Sequence, residues 1–588
     1  MRCRRPALAR GAWVTAAGAA LAVRVAAATL ATTAVFLSLA GADAPAMAAE
    51  AGPALSPFLS PTGREIERAF DEWRFQAARA RLAELSAREP QAPELSYLEG
   101  YARFLEGDYA GASASLAKTA AAAPDDVNVK ELRTLAGAAE EAVKDHKEAR
   151  STHFVVRYPA EDAVLVPYAL ETLESAYAAL ADDLGFAAAL PVRVEFYRSP
   201  TDLAAVSSLS AAEVERTGTI ALCKWARLMV TTPRALSYGY PWLDSINHEL
   251  VHYAVSELTH DRAPVWLQEG LAKFLEKRWR EPAGGRLAPA MEHLLAKALR
   301  NGKLIGFDAM HPSMAKLPSA EDASLAFAEV ATAIATLHAQ GGMAALRTAI
   351  AAVADGADAR RAVAQAAGGG WAEFERAWKG YMVSLKLRTY PGFDLPTVHI
   401  RKGGAIASRR KPSEDEVATT GLRASPSLRH LRLGNILLKR NRPRAAVLEY
   451  EKGAHEATLT RGRGGARNGG SGGASGPDAA AAQWLFPVKL GRTYLALGQP
   501  DQALRAVEHA RTTYPDLPWP NLIAGEAWLA KGEPRAAIDA VRASLATNPF
   551  DPAVHCTLAE AYARLPDPDR PSSPVIARER QFCKELSD

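Results

Sequence analysis

A 34-residue period at both ends of the chain limits its fold more than any other sequence feature. Ala78, Leu82 and Pro90 recur as Ala112, Leu116 and Pro124, and Gly491, Ala503 and Pro515 recur as Gly525, Ala537 and Pro549. Ala559 continues the second series, and Tyr494, Trp528 and Tyr562 fill one large position within it. A period of this length describes one helix–turn–helix unit that cannot bury its apolar face alone and must stack on copies of itself. Gly434, Ala446 and Tyr450 open an earlier unit in the same style, and its spacing to Gly491 exceeds one period. The excess is the glycine- and serine-rich stretch 457–480, which predicts a disordered insertion.

Between the two arrays lies His248-Glu249-Leu250-Val251-His252, and seventeen residues later Glu269 follows in Pro-Val-Trp-Leu-Gln-Glu-Gly-Leu-Ala. On a helix, residues four apart share a face, so both imidazoles can bind one metal ion. Glu249 lies about 100° round the helix, where it can reach a metal-associated water without being a ligand. Glu269 on a second helix would be the third ligand. Three protein ligands leave a tetrahedral position open, the arrangement of a catalytic zinc site rather than a structural one.

These residues resemble the peptidase MA-like domain of the gluzincin zinc peptidases, relatives of thermolysin, over 151–385. The resemblance implies His248, His252 and Glu269 as ligands of Zn²⁺ and Glu249 as general base. It implies hydrolysis of peptide bonds by a zinc-activated water. An edge strand would pair with the substrate, and 219–231 is the candidate, with a plain sheet strand as the other reading. Relatives place an oxyanion-binding tyrosine where this chain has Phe327, leaving Tyr238, Tyr240, Tyr253 and His260 as substitutes. The acidic position four past the third ligand is Lys273 here. Asp244 either supports His248 or simply favours its helix N-terminus. The Gly-x-Met-Glu-Asn strand of the aminopeptidase branch is absent, which favours an endopeptidase. The periodic ends likewise resemble tetratricopeptide (TPR) repeats, whose grooves bind protein partners.

The expected fold is therefore mostly α, with a central α+β thermolysin-like zinc peptidase domain and TPR solenoids on both sides. Repeats occupy 62–148, the peptidase domain 151–385, a linker 386–426 and a second array 427–588. Strands are expected at 153–158 and 192–197, with a helix from about 164 to 184 between them. Further helices are expected at about 288–300, 322–340, 343–354 and 371–385.

Residues 1–48 read as a signal peptide. Arg2, Arg4, Arg5 and Arg10 precede an apolar run from Val25 to Ala40, and Ala46-Met47-Ala48 offers a cleavage site. Export to the periplasm or beyond follows; an uncleaved membrane anchor is the alternative. The formal net charge of +4 resides in this leader, so the remainder is near neutral and nothing points to nucleic acid. Cys223 reads as a buried thiol, and Cys556 and Cys583 as a disulfide or two buried thiols. A second functional reading is a TPR scaffold with a degenerate, non-catalytic peptidase-like domain.

Overall fold

The computed structural model describes residues 58–310, 314, 317–390, 427–465 and 477–588. The expected leader lies outside them, as does most of the 386–426 linker. Among the described residues no helix is long and apolar enough to cross a membrane.

Helices α1 (Pro61–Asp71), α2 (Phe75–Arg88), α3 (Leu95–Glu106), α4 (Tyr109–Ala122) and α5 (Val127–Val143) form the N-terminal hairpins. The starts of α1, α4 and α5 are capped locally: Ser60, Asp108 and Asp126 accept from the amides of Gly63, Gly111 and Val129. Among the described residues, eight further helices follow the central region. They are α15 (Leu428–Lys439), α16 (Pro443–Gly465), α17 (Pro477–Ala496), α18 (Pro500–Thr513), α19 (Pro518–Ala530), α20 (Pro534–Leu545), α21 (Pro552–Arg564) and α22 (Ser573–Ser587). One packing device recurs in both arrays. A Cβ on Gly100, Gly434, Gly491 or Gly525 would collide with the side chain sixteen residues on, namely Leu116, Tyr450, Val507 or Val541, at 2.7, 2.3, 2.7 and 2.2 Å. The absent side chain lets the two helices of each hairpin cross closely.

The insertion expected at 457–480 falls partly on residues that the structure describes. α16 runs to Gly465 and α17 begins at Pro477, so only 466–476 lie outside the described residues.

The centre is a mixed five-stranded sheet in the order β1-β2-β3-β5-β4. Its strands are β1 (Lys147–Arg150), β2 (Phe154–Tyr158), β3 (Val192–Tyr197), β4 (Ala221–Lys224) and β5 (Arg227–Thr231). β1 falls ahead of the 151 boundary. β2 and β3 run parallel, joined by α6 (Val166–Leu184), and β4 turns back antiparallel on β5 to form an edge. The two-residue alternation of strands divides β3 cleanly. Glu195 faces the N-terminal array, where its carboxylate accepts from Tyr109 Oη (2.6 Å) and pairs with the wholly buried Arg227 (3.3 Å). Phe196 faces the other way, against Trp242. Short helices α7 (Pro200–Ala205) and α8 (Ala211–Thr217) link β3 to β4.

α9 (Trp242–Thr259) packs on β4 and β5, and α10 (Val265–Leu275), α11 (Pro289–Asn301), α12 (Ala320–Ala354), α13 (Ala359–Ala366) and α14 (Trp371–Ser384) follow it. The helices expected at 322–340 and 343–354 are the two limbs of α12, which kinks at Gly341 and Gly342. The first linker residues fold back, with Arg388 and Tyr390 bonding to Glu292 on α11.

Candidate metal centre

α9 carries His248, Glu249 and His252, and α10 carries Glu269; all four are buried to within 1% of full enclosure. The helical register sets His248 Nε2 and His252 Nε2 3.1 Å apart. Glu269 Oε2 stands 3.3 Å from the first and 3.4 Å from the second. A tetrahedral zinc with bonds of about 2.0–2.1 Å separates its ligand atoms by about 3.3 Å. These three spacings fit that edge length. Among the described residues, this is the group that could hold a metal ion.

The far sides of the rings explain why lone pairs converge there. His248 Nδ1 lies 3.1 Å from Glu276 Oε2, and His252 Nδ1 lies 3.2 Å from Gln268 Oε1. Gln268 is oriented by its own neighbours: Nε2 donates to Ser256 Oγ (3.2 Å), which donates to Asp261 Oδ1 (2.9 Å). With acceptors on both Nδ1 atoms, the ring protons sit there and both Nε2 atoms present lone pairs beside the Glu269 carboxylate. Three converging acceptors in a dry site repel one another unless a cation lies between them. Without one, a proton takes its place. Burial works against an imidazolium at His252, but the Glu269 charge overcomes it and lifts the ring to about 9. Burial likewise opposes the Glu269 carboxylate, and His252 overcomes it, pulling Glu269 to about 2.

Glu276 is a residue the sequence reading passed over. It lies one residue beyond α10 and accepts from Lys273 Nζ (2.9 Å) as well as facing His248. Burial opposes its charge, yet Lys273 first and His248 second hold its carboxyl at about 2. Asp244 does not support His248. It accepts from Trp279 Nε1 (3.0 Å) and pairs with Arg280 (2.7 Å), which corrects the first of its two sequence readings.

Neither carboxylate oxygen of Glu249 has a partner at full hydrogen-bond geometry, and the Cys223 amide on β4 is the donor that faces it. Burial pushes its carboxyl up to about 7, against the pull of His252, His248 and the facing Cys223 amide on β4. A carboxyl titrating near neutrality suits a proton carrier. Cys223 itself is buried, and burial pushes its thiol well up.

Of the substitutes for the missing tyrosine, one is committed through its hydroxyl. Tyr240 Oη donates to the Thr231 carbonyl. The Tyr253 ring packs edge-on against Trp73 at 4.9 Å. His260 caps the far end of α9 in the left-handed region. Tyr238 packs edge-on against Trp519 and Trp484, at 5.6 and 6.2 Å. Phe327 is fully buried on α12, with Lys273 Nζ 6.0 Å from its ring centre.

Residues 172–384 match the family model described as the Peptidase MA superfamily. The match begins inside α6 and ends with the last residue of α14, so it includes the whole His248–Glu249–His252–Glu269 group. It supports a peptidase-like domain at the centre of the chain. No curated protein matches the chain.

Proposed function

We propose that this protein is an exported zinc-dependent metallopeptidase of the gluzincin type, acting as an endopeptidase. The observation that carries the reading is the convergence of two Nε2 lone pairs and one carboxylate oxygen at tetrahedral spacing, beside the buried Glu249 carboxyl. Zn²⁺ held by His248, His252 and Glu269 would supply Lewis acidity, polarising the scissile carbonyl and acidifying a water. Glu249 takes the proton of that water and delivers it to the departing amine. Its burial keeps it basic enough to do so near neutral pH. β4 leaves one side of its backbone free of sheet partners, and an extended peptide can add there as a further strand.

The glycine-to-side-chain step of sixteen residues, shared by both arrays, supports reading them as TPR repeats. Their grooves would recruit a protein substrate or partner. The leader sequence and the Cys556–Cys583 disulfide support export. The scaffold reading gains nothing from a site whose four polar residues are all present and assembled.

Purified protein should contain about one equivalent of zinc. Glu249→Gln should retain it while losing about 10²–10⁴-fold in peptide hydrolysis. Zinc content and turnover of a general protein substrate check both. Full activity in the Glu249→Gln variant, or no zinc in the wild type, would end this reading.

A further inference from the structure

The start of α9 is not capped by its own sequence. Its N-cap is Pro241, which has no side-chain acceptor. Part of the cap comes from the C-terminal array. The Trp242 N–H is shared between Tyr240 O in the same loop (2.6 Å) and Ala546 O (3.0 Å). The indole Nε1–H of Trp242 donates to Leu545 O (3.1 Å), and the Tyr240 N–H to Thr547 O (3.1 Å). Residues 545–547 close helix α20, so their carbonyls have no partner within that helix. The negative end of α20 thus meets the positive end of α9, each satisfying groups the other leaves bare.

The backbones could not approach this closely with a side chain at residue 239. A Cβ on Gly239 would lie 2.1 Å from Thr547 O, and its φ of +76° already favours glycine. Flanking contacts widen the joint. Tyr238 packs against Trp484 and Trp519, and the Arg234 guanidinium sits 4.0 Å over the Phe550 ring. A second joint ties the array to α6, where Tyr168 Oη donates to Glu579 (2.7 Å) and His555 Nδ1 lies 2.9 Å from the same carboxylate.

We propose that the C-terminal array is an intramolecular clamp that positions the metal helix, with loop 234–242 of the same chain as the ligand it grips. Gly239 and Trp242 are its positioning residues. The clamp holds His248, under two turns downstream of Trp242, against Glu269 on α10. This deepens the proposed function, since the zinc reading supplies the first measurement below; the second needs no metal.

The test compares Gly239→Ala with Gly532→Ala in the full-length protein. Gly532 has φ +79° and open space where a Cβ would go, so its variant carries the same backbone penalty without obstructing the joint. Zinc affinity is read by competition with a chelator. Amide hydrogen exchange over 242–252 is read on metal-free protein. Gly239→Ala should weaken zinc about tenfold, in the range for groups supporting a ligand, and speed exchange at the start of α9 about tenfold. Gly532→Ala should change neither. Trp242→Phe, which keeps the packing and loses one donor, should shift both in the same direction by less, and it serves should Gly239→Ala fail to fold. Equal effects in the two alanine variants, or unchanged exchange in Gly239→Ala and Trp242→Phe, would overturn the clamp. Should wild-type protein take up no zinc, the exchange comparison alone decides the clamp, and the catalytic reading is what falls.

Discussion

Two carboxylates near the metal centre lie on helix-borne registers, yet only one of them reaches a histidine. Glu276 faces His248 Nδ1, whereas Asp244 is spent on Trp279 and Arg280. Glu276→Ala should therefore lower zinc affinity by about 10- to 100-fold, and Asp244→Ala should leave it unchanged; chelator competition distinguishes the two. The pairing of His248 and His252 was legible, because a four-residue step on a helix sets both on one face whatever surrounds them. Glu276 was not, because its reach to His248 depends on how α9 and α10 cross, and no local spacing encodes a crossing angle. Glu329 offers a second residue-scale test. It is fully buried on α12, with one oxygen accepting from the Ile305 amide (2.8 Å) and the other bonded to nothing. Burial pushes its carboxyl up to about 8, against about 4.3 in an unfolded chain. Between those values the folded state binds the proton and the unfolded state does not, so this group costs stability progressively as pH rises through the window. Glu329→Gln should raise stability at pH 8 by about 2–4 kcal/mol and have little effect near pH 4; thermal unfolding at both pH values checks it.

Among the elements, α12 shows what glycine signals can and cannot reveal. Gly341-Gly342 marked the boundary between two expected helices, and the structure keeps a break there as a kink within one long element. Gly342 adopts φ +61°, ψ −159°, a region almost confined to glycine, while open space surrounds the position of a Cβ. Gly342→Ala should cost about 1–3 kcal/mol through backbone strain alone, measurable by urea denaturation. β1 escaped the sequence reading for a different reason. Lys147-Glu148-Ala149-Arg150 is a mostly exposed edge strand, with no apolar alternation to betray it, and its existence depends on pairing with β2. β2 and β3 were legible from alternating residue types, although both faces of β3 are buried, Arg193 and Glu195 included.

At the scale of the whole molecule, the bridge between α21 and α22 can be tested directly. Cys556 and Cys583 are bonded, with Cα atoms 4.9 Å apart and a sequence separation of 27. Closing a loop of that length should stabilise the folded chain by about 3–4 kcal/mol. Cys556→Ser, followed by chemical denaturation under oxidising conditions, should reveal that loss. Antiparallel hairpin geometry made the pairing accessible from sequence. The docking of the array on the metal helix was not accessible, because main-chain carbonyls at 545–547 carry no side-chain signature. That docking joins Trp242 to residues some three hundred positions later, and this separation has a meaning in time. At about 5–20 residues per second, Ala546 leaves the ribosome roughly 15–60 s after Trp242. From the synthesis of Glu276 onward the nascent chain holds every residue of the candidate metal centre but not yet the carbonyls at 545–547 on which α9 docks. On the proposed clamp, the start of α9 is fixed only once the C-terminal array has been made.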